Sequence, residues 1–133
     1  MAKSFAEVSS QPVRALQIWQ ILIACAHNRQ TITYSHLAEL MGYSDLRPTF
    51  AQLGHVMYYC YFNELPSLTA LVVSEITGRA NEEGLITVKD VDSEREKVFK
   101  HEWFKVFPPS IDELDRGYRS GEDLNKRGEI KRR

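Results

Sequence analysis

The sequence predicts an α+β fold of the winged helix-turn-helix type, with three N-terminal helices followed by a small β-hairpin and C-terminal helical segments. Three observations predict it. A short helix over residues 34–41 ends at Gly42, a longer helix around residues 50–62 follows a polar turn, and residues 68–73 have the composition of a buried strand. Because this is the element order of a winged helix-turn-helix, nucleic-acid binding is the first functional hypothesis.

The first helix is predicted to begin at Ser10-Gln11-Pro12 and to end near residues 27–29. Serine can cap a helix, and proline is tolerated in the first turn because its missing N–H has no helical partner there. Arg14 begins a polar stripe, but the apolar face is wide, so we expect a mostly buried helix. The apolar stripe comprises Val13, Leu16, Trp19, Leu22, Ile23 and Ala26.

The second and third helices flank a polar turn. Thr33 or Ser35 is placed to cap the second helix, and Gly42 is a good C-terminal stop. The third helix has apolar residues at roughly helical spacing and ends near Asn63. We expect one core where the first helix, the third helix and the strand meet, formed by Trp19, Leu22, Leu53, Met57, Leu71, Val72 and Val73.

The hairpin is predicted from two apolar runs. Residues 68–76 are rich in β-branched side chains, residues 77–84 form a turn with two glycines, and residues 85–88 are placed to return as the second strand.

Beyond the hairpin, the sequence predicts helical segments and then a tail. Ile111, Leu114 and Tyr118 indicate a short helix, and the chain becomes polar and basic soon after it. We therefore expect a single winged-helix-like domain over residues 1–118 and a polar, basic, mobile tail over residues 119–133.

The composition restricts the function. The chain has 133 residues, 43% hydrophobic content and a formal net charge of −1, which argues against tight, purely electrostatic DNA binding. The N-terminus lacks the apolar core of a signal peptide, and the longest apolar run, residues 21–26, is too short to cross a bilayer. We therefore expect a cytoplasmic protein without membrane contact. In that compartment Cys25 and Cys60 are expected to be buried free thiols.

The candidate DNA contacts lie on the second helix, the turn, the start of the third helix and the wing. Arginine and glutamine suit the edges of guanine and adenine, and hydroxyl groups can donate to phosphates. Arg47 is the cation of the turn and has Glu39 and Asp45 nearby, so duplex DNA binding should be weak and salt-sensitive. The predicted contacts are Tyr34, Ser35, Tyr43, Arg47, Thr49, Gln52, His55 and Arg79.

Residues 31–76 resemble the winged-helix DNA-binding domain of the alkylguanine-DNA alkyltransferases and the alkyltransferase-like proteins. The resemblance covers about a third of the chain, and it implies a DNA-binding scaffold. It rests on Thr31 to Ala38, Gly42, Leu53-Gly54, Asn63, Pro66 and Val72-Val73.

The chain departs from that family at the residues that carry the chemistry. The family has a Pro-Cys-His-Arg motif before its apolar strand, whereas this chain has Pro66-Ser67-Leu68-Thr69. It also has an arginine three residues before the glycine of the recognition helix, where this chain has Ala51. Alkyl transfer requires a thiolate nucleophile, so we expect neither that reaction nor base flipping of that kind.

Other chemistry is not indicated either. The cysteines and histidines lack the pair spacings typical of zinc sites. We therefore expect no enzyme activity, no cofactor and no metal.

The alternative function is a protein-binding module, such as an immunity protein, antitoxin, phage inhibitor or adaptor subunit. Exposed tyrosines are good interface residues, although tyrosines in a helix–sheet core explain the same sequence equally well. The candidate partner contacts are Tyr58, Tyr59, Tyr61 and Phe62.

Overall fold

The computed structural model describes residues 2–7, 10–78 and 85–133, which form a mostly helical α+β fold with one small sheet. Short 3-10 helices lie at Phe5–Glu7, Leu68–Leu71 and Trp103–Lys105. None of the helices in these ranges is long and apolar enough to cross a membrane. The longer elements are α1 (Gln11–His27), β1 (Ile32–Thr33), α2 (Tyr34–Leu40), α3 (Arg47–Phe62), β2 (Val72–Val73), α4 (Val91–Lys100) and α5 (Ile111–Lys126).

Helix α1 lies at the centre of the core, as its wide apolar face predicted. Pro12 lies in its first turn, and the N-cap residue Ser10 has an extended backbone. The Trp19 ring lies edge-on to Tyr59 of α3 and to Trp103, with centroid distances of 5.5 and 5.7 Å. The residues predicted to form the core are all buried, namely Trp19, Leu22, Leu53, Met57, Leu71, Val72 and Val73.

The small sheet joins two segments that are distant in the chain. Strand β2 pairs in parallel with β1, with Ile32 opposite Val72 and Thr33 opposite Val73. Thr33 also caps α2, because its Oγ1 accepts a hydrogen bond from the backbone N–H of His36 at 3.1 Å. The sheet therefore fixes the entry to α2 beside the segment that follows the 3-10 helix Leu68–Leu71.

The structure does not contain the predicted hairpin in its described residues. Leu68–Leu71 form a buried 3-10 helix, and Leu85 and Val88 pack on Ala70 without forming a strand. A short apolar run indicates burial but does not distinguish a strand from a helical turn, so the hairpin prediction was wrong here. Most of the predicted wing turn, residues 79–84, lies outside the described residues.

Helix α5 packs closely on α3, and glycines permit this approach. A Cβ atom at Gly121 would lie 2.1 Å from Cδ1 of Tyr58, and one at Gly117 would lie 3.8 Å from the backbone nitrogen of Tyr59. On α3, a Cβ atom at Gly54 would lie 3.0 Å from the Tyr118 ring. Helix α3 is therefore packed against both α1 and α5.

Helix α5 extends beyond the predicted end of the domain at residue 118. It begins with a capping box, in which Ser110 Oγ accepts from the Glu113 N–H and the Glu113 carboxylate accepts from the Ser110 N–H, both at 3.0 Å. The helix then continues to Lys126, so residues 119–126 belong to it.

The last residues lie against the body of the protein. The Arg133 N–H donates to the Thr87 carbonyl, and the Lys89 N–H donates to the Arg133 carbonyl, both at 3.0 Å. The Arg132 side chain donates to the Ile86 carbonyl at 3.1 Å. Residues 119–133 are thus a helix end and a hydrogen-bonded segment, where the sequence predicted a separate tail. A polar sequence does not reveal backbone hydrogen bonds of this kind, so the sequence did not predict them.

Candidate functional site

Among the predicted DNA contacts that the structure describes, Arg47 is the most accessible. Its side chain is 83% exposed, and its guanidinium binds the Asp45 carboxylate through Nε at 2.8 Å and through Nη2. The backbone N–H of Arg47 donates to the same carboxylate at 3.0 Å. These bonds lower the pKa of Asp45. The guanidinium of Arg47 is therefore already hydrogen-bonded to Asp45, an acid of the same turn.

Three other predicted contacts face the interior, which corrects their assignment as groove-facing residues. Thr49, Gln52 and His55 are all buried. The Thr49 hydroxyl donates to the Leu46 carbonyl at 2.6 Å, and Gln52 Nε2 donates to Gln11 Oε1 at 2.8 Å. Buried polar groups are usually hydrogen-bonded. Thr49 bonds to a carbonyl three residues away, whereas the Gln52 amide nitrogen bonds to Gln11, a distant residue that the local sequence does not reveal.

His55 packs against helix α5. Its ring stacks on Tyr118 with centroids 4.0 Å apart and planes 3° apart, and Nδ1 lies 2.6 Å from the Ala51 carbonyl. Burial lowers the pKa of His55, although that carbonyl and the carboxylates of Asp115 and Glu122 act in the opposite direction. His55 is therefore a packing residue of the α3–α5 contact.

Tyr43 joins the turn to α1. Its hydroxyl accepts from Arg14 Nε at 3.0 Å and from Gln52 Nε2 at 2.9 Å, and the Arg14 guanidinium lies over its ring. Arg14 also donates to the Met41 carbonyl at the end of α2. The sequence placed Arg14 on a polar stripe, but the side chain is buried because it binds the C-terminus of a neighbouring helix.

The remaining predicted DNA contacts are not gathered into a larger site. Tyr34 and Ser35 are half-buried at the start of α2, and the Tyr34 ring lies edge-on to Phe50 at 6.0 Å. Arg79 lies outside the described residues. Around the start of α3, the accessible part of the predicted site therefore reduces to Arg47 with the partly exposed Tyr34, Ser35 and Tyr43.

Two of the four candidate partner-binding residues are also internal, which corrects their assignment. Tyr58 is buried against α5 and its hydroxyl donates to the Glu122 carboxylate at 2.9 Å; burial and this carboxylate raise the pKa of Tyr58. Tyr59 is buried beside Trp19. In the run of aromatic residues, the side that faces α1 and α5 belongs to the core.

The other two candidates lie at the end of α3. The Tyr61 hydroxyl accepts from the Lys131 N–H at 3.0 Å, so the C-terminal segment uses it. Phe62 is 42% exposed and borders a groove of about 260 Å³ between α3 and α5. We call this the α3–α5 groove; its lining is Tyr59, Phe62, Asn63, Glu113, Arg116, Gly117 and Ser120.

A second surface, which the sequence did not indicate, lies between α4 and α5. We call residues 100–107 the aromatic loop. Phe104 is 63% exposed and Phe107 is 87% exposed, which makes them the two most exposed aromatic side chains of the described chain. Trp103 and Val106 pack on the core and fix the segment between them, and Trp103 Nε1 donates to the Val98 carbonyl at 2.8 Å.

The aromatic loop borders a cavity of about 340 Å³ at the end of α1. The His27 ring lies edge-on to Phe104 at 5.0 Å, and the His101 ring lies 4.6 Å from Trp103. The cavity therefore combines apolar walls with imidazole and ammonium groups. Its lining is His27, Phe99, Lys100, His101, Glu102, Trp103, Phe104 and Lys105.

The arginines of the described residues are engaged within the protein. Arg14, Arg132 and Arg133 donate to backbone carbonyls. The others pair with acids, so their charge is neutralised locally, which disfavours a phosphate-binding stripe. These pairs are Arg29–Glu96, Arg47–Asp45, Arg95–Asp92, Arg116–Asp112, Arg119–Asp115 and Arg127–Asp123.

The thiols show no sign of activation. Cys60 is buried, and burial raises the pKa of its thiol to about 12. Cys25 is half-buried, and burial raises the pKa of its thiol as well. A nucleophilic cysteine needs a lowered pKa, so neither thiol suits covalent catalysis. Within the described ranges, no three His, Cys, Asp or Glu side chains are placed to hold one metal ion.

No family model, curated protein or solved structure matches this chain. The resemblance of residues 31–76 to the alkyltransferase winged helix therefore stays a prediction from the residues themselves.

Proposed function

We propose that this protein is a small binding module that acts by contacting another protein through the aromatic loop and catalyses no reaction itself. The observation that carries the proposal is the exposure of Phe104 and Phe107, at 63% and 87%, in one short segment. Exposing aromatic rings to water is unfavourable in free energy, and burying them against a partner recovers that free energy. Aromatic side chains are also the residues that most often carry interface energy.

The charge pattern supports a protein partner over duplex DNA. Several exposed arginines pair with acids of their own helix, as Arg116 does with Asp112 and Arg119 with Asp115, and Arg29 pairs with Glu96 of α4. Of the predicted DNA contacts on α3, Gln52 and His55 are buried. A DNA surface needs accessible donors and a local excess of cations, and the start of α3 offers Arg47 in an existing ion pair.

The aromatic loop is also a better candidate than the α3–α5 groove. In that groove Tyr59 is buried and Phe62 is 42% exposed, so less apolar surface is available to a partner. Both charged groups of the groove are already engaged: the Glu113 carboxylate accepts from the Ser110 N–H at the start of α5, and Arg116 binds Asp112 at 2.7 Å.

DNA binding is the second candidate function, because α2, a turn and α3 follow one another in helix-turn-helix order. Arg47 remains its best contact, since the side chain is exposed and surface ion pairs are weak enough to exchange for a phosphate. Under this hypothesis Arg47→Ala weakens duplex binding, while removal of Phe104 and Phe107 leaves it unchanged.

The test is capture from an extract of the source organism, with the purified protein as bait. The Phe104→Ala/Phe107→Ala variant should lose the captured protein. The matched Phe50→Ala/Phe62→Ala variant, which also removes two partly exposed phenylalanines, should keep it. Each variant is first checked by thermal melting, because Phe104 and Phe50 both contact another ring.

Nuclease treatment of the extract separates the two candidate functions. Capture that survives nuclease and depends on Phe104 and Phe107 supports the proposal. Capture that nuclease abolishes, or that Arg47→Ala reduces while the aromatic variant does not, contradicts it in favour of DNA. Equal loss in both phenylalanine variants would also contradict it, because the aromatic loop would then have no special role.

A further inference from the structure

The cavity beside the aromatic loop carries a charge opposite to that of the whole chain. Arg29, Lys100 and Lys105 lie on or beside its rim, together with two carboxylates, Glu96 and Glu102. The chain as a whole has a formal net charge of −1. The apolar cavity therefore has slightly more positive than negative side chains around it, which favours a ligand with both apolar and negatively charged groups.

Lys100 is the cation most available to a ligand. Lys100 makes no ion pair with any of the described residues. The pKa of Glu96 is lowered chiefly by its hydrogen bond to Arg29, and the charge of Lys100 lowers it slightly further. Lys105 binds Glu102 at 3.2 Å, but both side chains are more than two-thirds exposed, so this pair is weak. Lys100 also closes α4, whose C-terminal end places partial negative charge beside it, so we expect modest affinity for an anion.

The apolar walls of the cavity fit one bulky side chain. Trp103 is buried at its base, Phe99 is half-buried, and Phe104 forms an exposed edge. A volume of about 340 Å³ admits a phenylalanine, leucine or methionine side chain. The imidazoles of His27 and His101 add N–H donors that a carboxylate can accept from.

We propose that this cavity binds an acidic segment of the partner protein, in which one bulky apolar side chain enters the cavity and flanking carboxylates meet Lys100 and Lys105. The inference rests on the proposed function, because it names the chemistry of the partner at the same surface. A nucleic-acid strand fits less well, since Glu96 and Glu102 would repel a continuous row of phosphates. A peptide can place its carboxylates beside the lysines alone.

The test is fluorescence anisotropy with short labelled peptides and the full chain. The first peptide has one central phenylalanine among glutamates, the second replaces the glutamates by glutamines, and the third replaces the phenylalanine by alanine. A single-stranded oligothymidylate of similar length is the nucleic-acid probe. The acidic phenylalanine peptide should bind about three- to tenfold tighter than either matched peptide, and higher salt should reduce the difference.

A charge-reversal pair supplies the control. Lys100→Glu/Lys105→Glu should weaken binding of the acidic peptide by about three- to tenfold. Lys126→Glu/Lys131→Glu makes the same change in net charge at exposed lysines that do not line the cavity, and it should change binding by less than about twofold. Thermal melts of both variants should match that of the parent protein.

Several results would overturn the inference. Equal binding of the glutamine peptide would show that the carboxylates of the peptide do not contribute, which would exclude an acidic segment but not a partner that binds the aromatic loop. Equal weakening by both charge reversals would show only long-range attraction. Tighter binding of the oligothymidylate than of the acidic peptide would also overturn it. So would a peptide dissociation constant above about 1 mM, which corresponds to a binding free energy of about −4.1 kcal/mol. The proposed function fails separately, when protein capture proves independent of Phe104 and Phe107.

Discussion

Helix α3 and the aromatic loop reverse the usual relation between polarity and exposure. Helix α3 holds polar side chains such as Thr49 and Gln52 inside, because it is packed against both α1 and α5. The aromatic loop holds Phe104 and Phe107 outside, because Trp103 and Val106 take the core positions next to them. The comparison teaches that accessible surface, and not the order of helices, identifies a candidate contact site.

The largest expected difference in the free energy of unfolding is between a substitution at a buried residue of α3 and one at an exposed residue of the aromatic loop. Leu53→Ala should lower the free energy of unfolding by about 2–5 kcal/mol, since it leaves a cavity in the core. Phe107→Ala should change it by no more than about 0.5 kcal/mol, because that ring is almost fully exposed. Urea unfolding of both variants checks this. Similar losses in the two variants would contradict the assigned burial.

The next effect tests the close contact that covers α3. Alanine is favoured over glycine in a helix by about 1 kcal/mol, yet Gly121→Ala should destabilise the protein by about 1–3 kcal/mol. The reason is that the new methyl group would overlap the Tyr58 ring. Ser120→Ala, at the exposed neighbouring position, is the control and should stay within about 0.5 kcal/mol. A rise in melting temperature for Gly121→Ala would show that α5 does not approach α3 this closely.

A smaller effect distinguishes packing from DNA reading at Gln52. Gln52→Ala removes hydrogen bonds to Gln11 and Tyr43 and should lower stability by about 1 kcal/mol. The exposed Arg47→Ala should change stability by less than about 0.5 kcal/mol. The combined readout is a thermal melt and a low-salt DNA titration. If Gln52→Ala leaves the melt unchanged but weakens DNA binding, the residue faces a ligand and the account of α3 is wrong.

The smallest effect is a pH dependence at His55. Burial lowers its pKa in the folded protein, so the unfolded chain binds more protons below its usual pKa of about 6.5. The free energy of unfolding should therefore fall as the pH drops from about 7.5 to 5, and His55→Asn should make that fall shallower. His36→Asn, at an exposed histidine, is the control. An unchanged slope for His55→Asn would mean that the ring is solvated.

Local signals in the sequence predicted the helices well. The extent of α1 follows from a long apolar stripe at helical spacing. The sequence offered Thr33 or Ser35 as the cap of α2, and the structure uses Thr33. The burial of Trp19 and Leu53 could be predicted for the same reason. These features depend on residues that are near one another in the chain.

Features that depend on distant residues were not predicted. Strands β1 and β2 contain two residues each and pair across about 40 positions, a length too short for a period to show. Gly117 and Gly121 allow α5 to approach Tyr58 and Tyr59, and nothing in the local sequence indicated that role. The side chain of Gln52 looked accessible because its partner Gln11 is distant in the chain, and the burial of Thr49 follows from the packing of α3 against other helices.

The aromatic loop was missed for a different reason. Its sequence, Trp103-Phe104-Lys105-Val106-Phe107, fits a strand or a helix, and both would bury most of the rings. Exposure of Phe104 and Phe107 follows from which rings the core can hold, and Trp103 already fills the place beside Trp19. A cluster of aromatic residues directly before Pro108-Pro109 was the available signal, since proline lacks the backbone N–H that a helix interior or a central strand needs.

The most direct test of the central claim is photo-cross-linking in an extract of the source organism. Benzoylphenylalanine is placed at Phe107 in one variant and at Phe50, on α3, in the other, because both side chains are accessible. We expect a nuclease-resistant cross-linked protein band from position 107 and none from position 50. A protein or DNA adduct from position 50, with none from position 107, would contradict it.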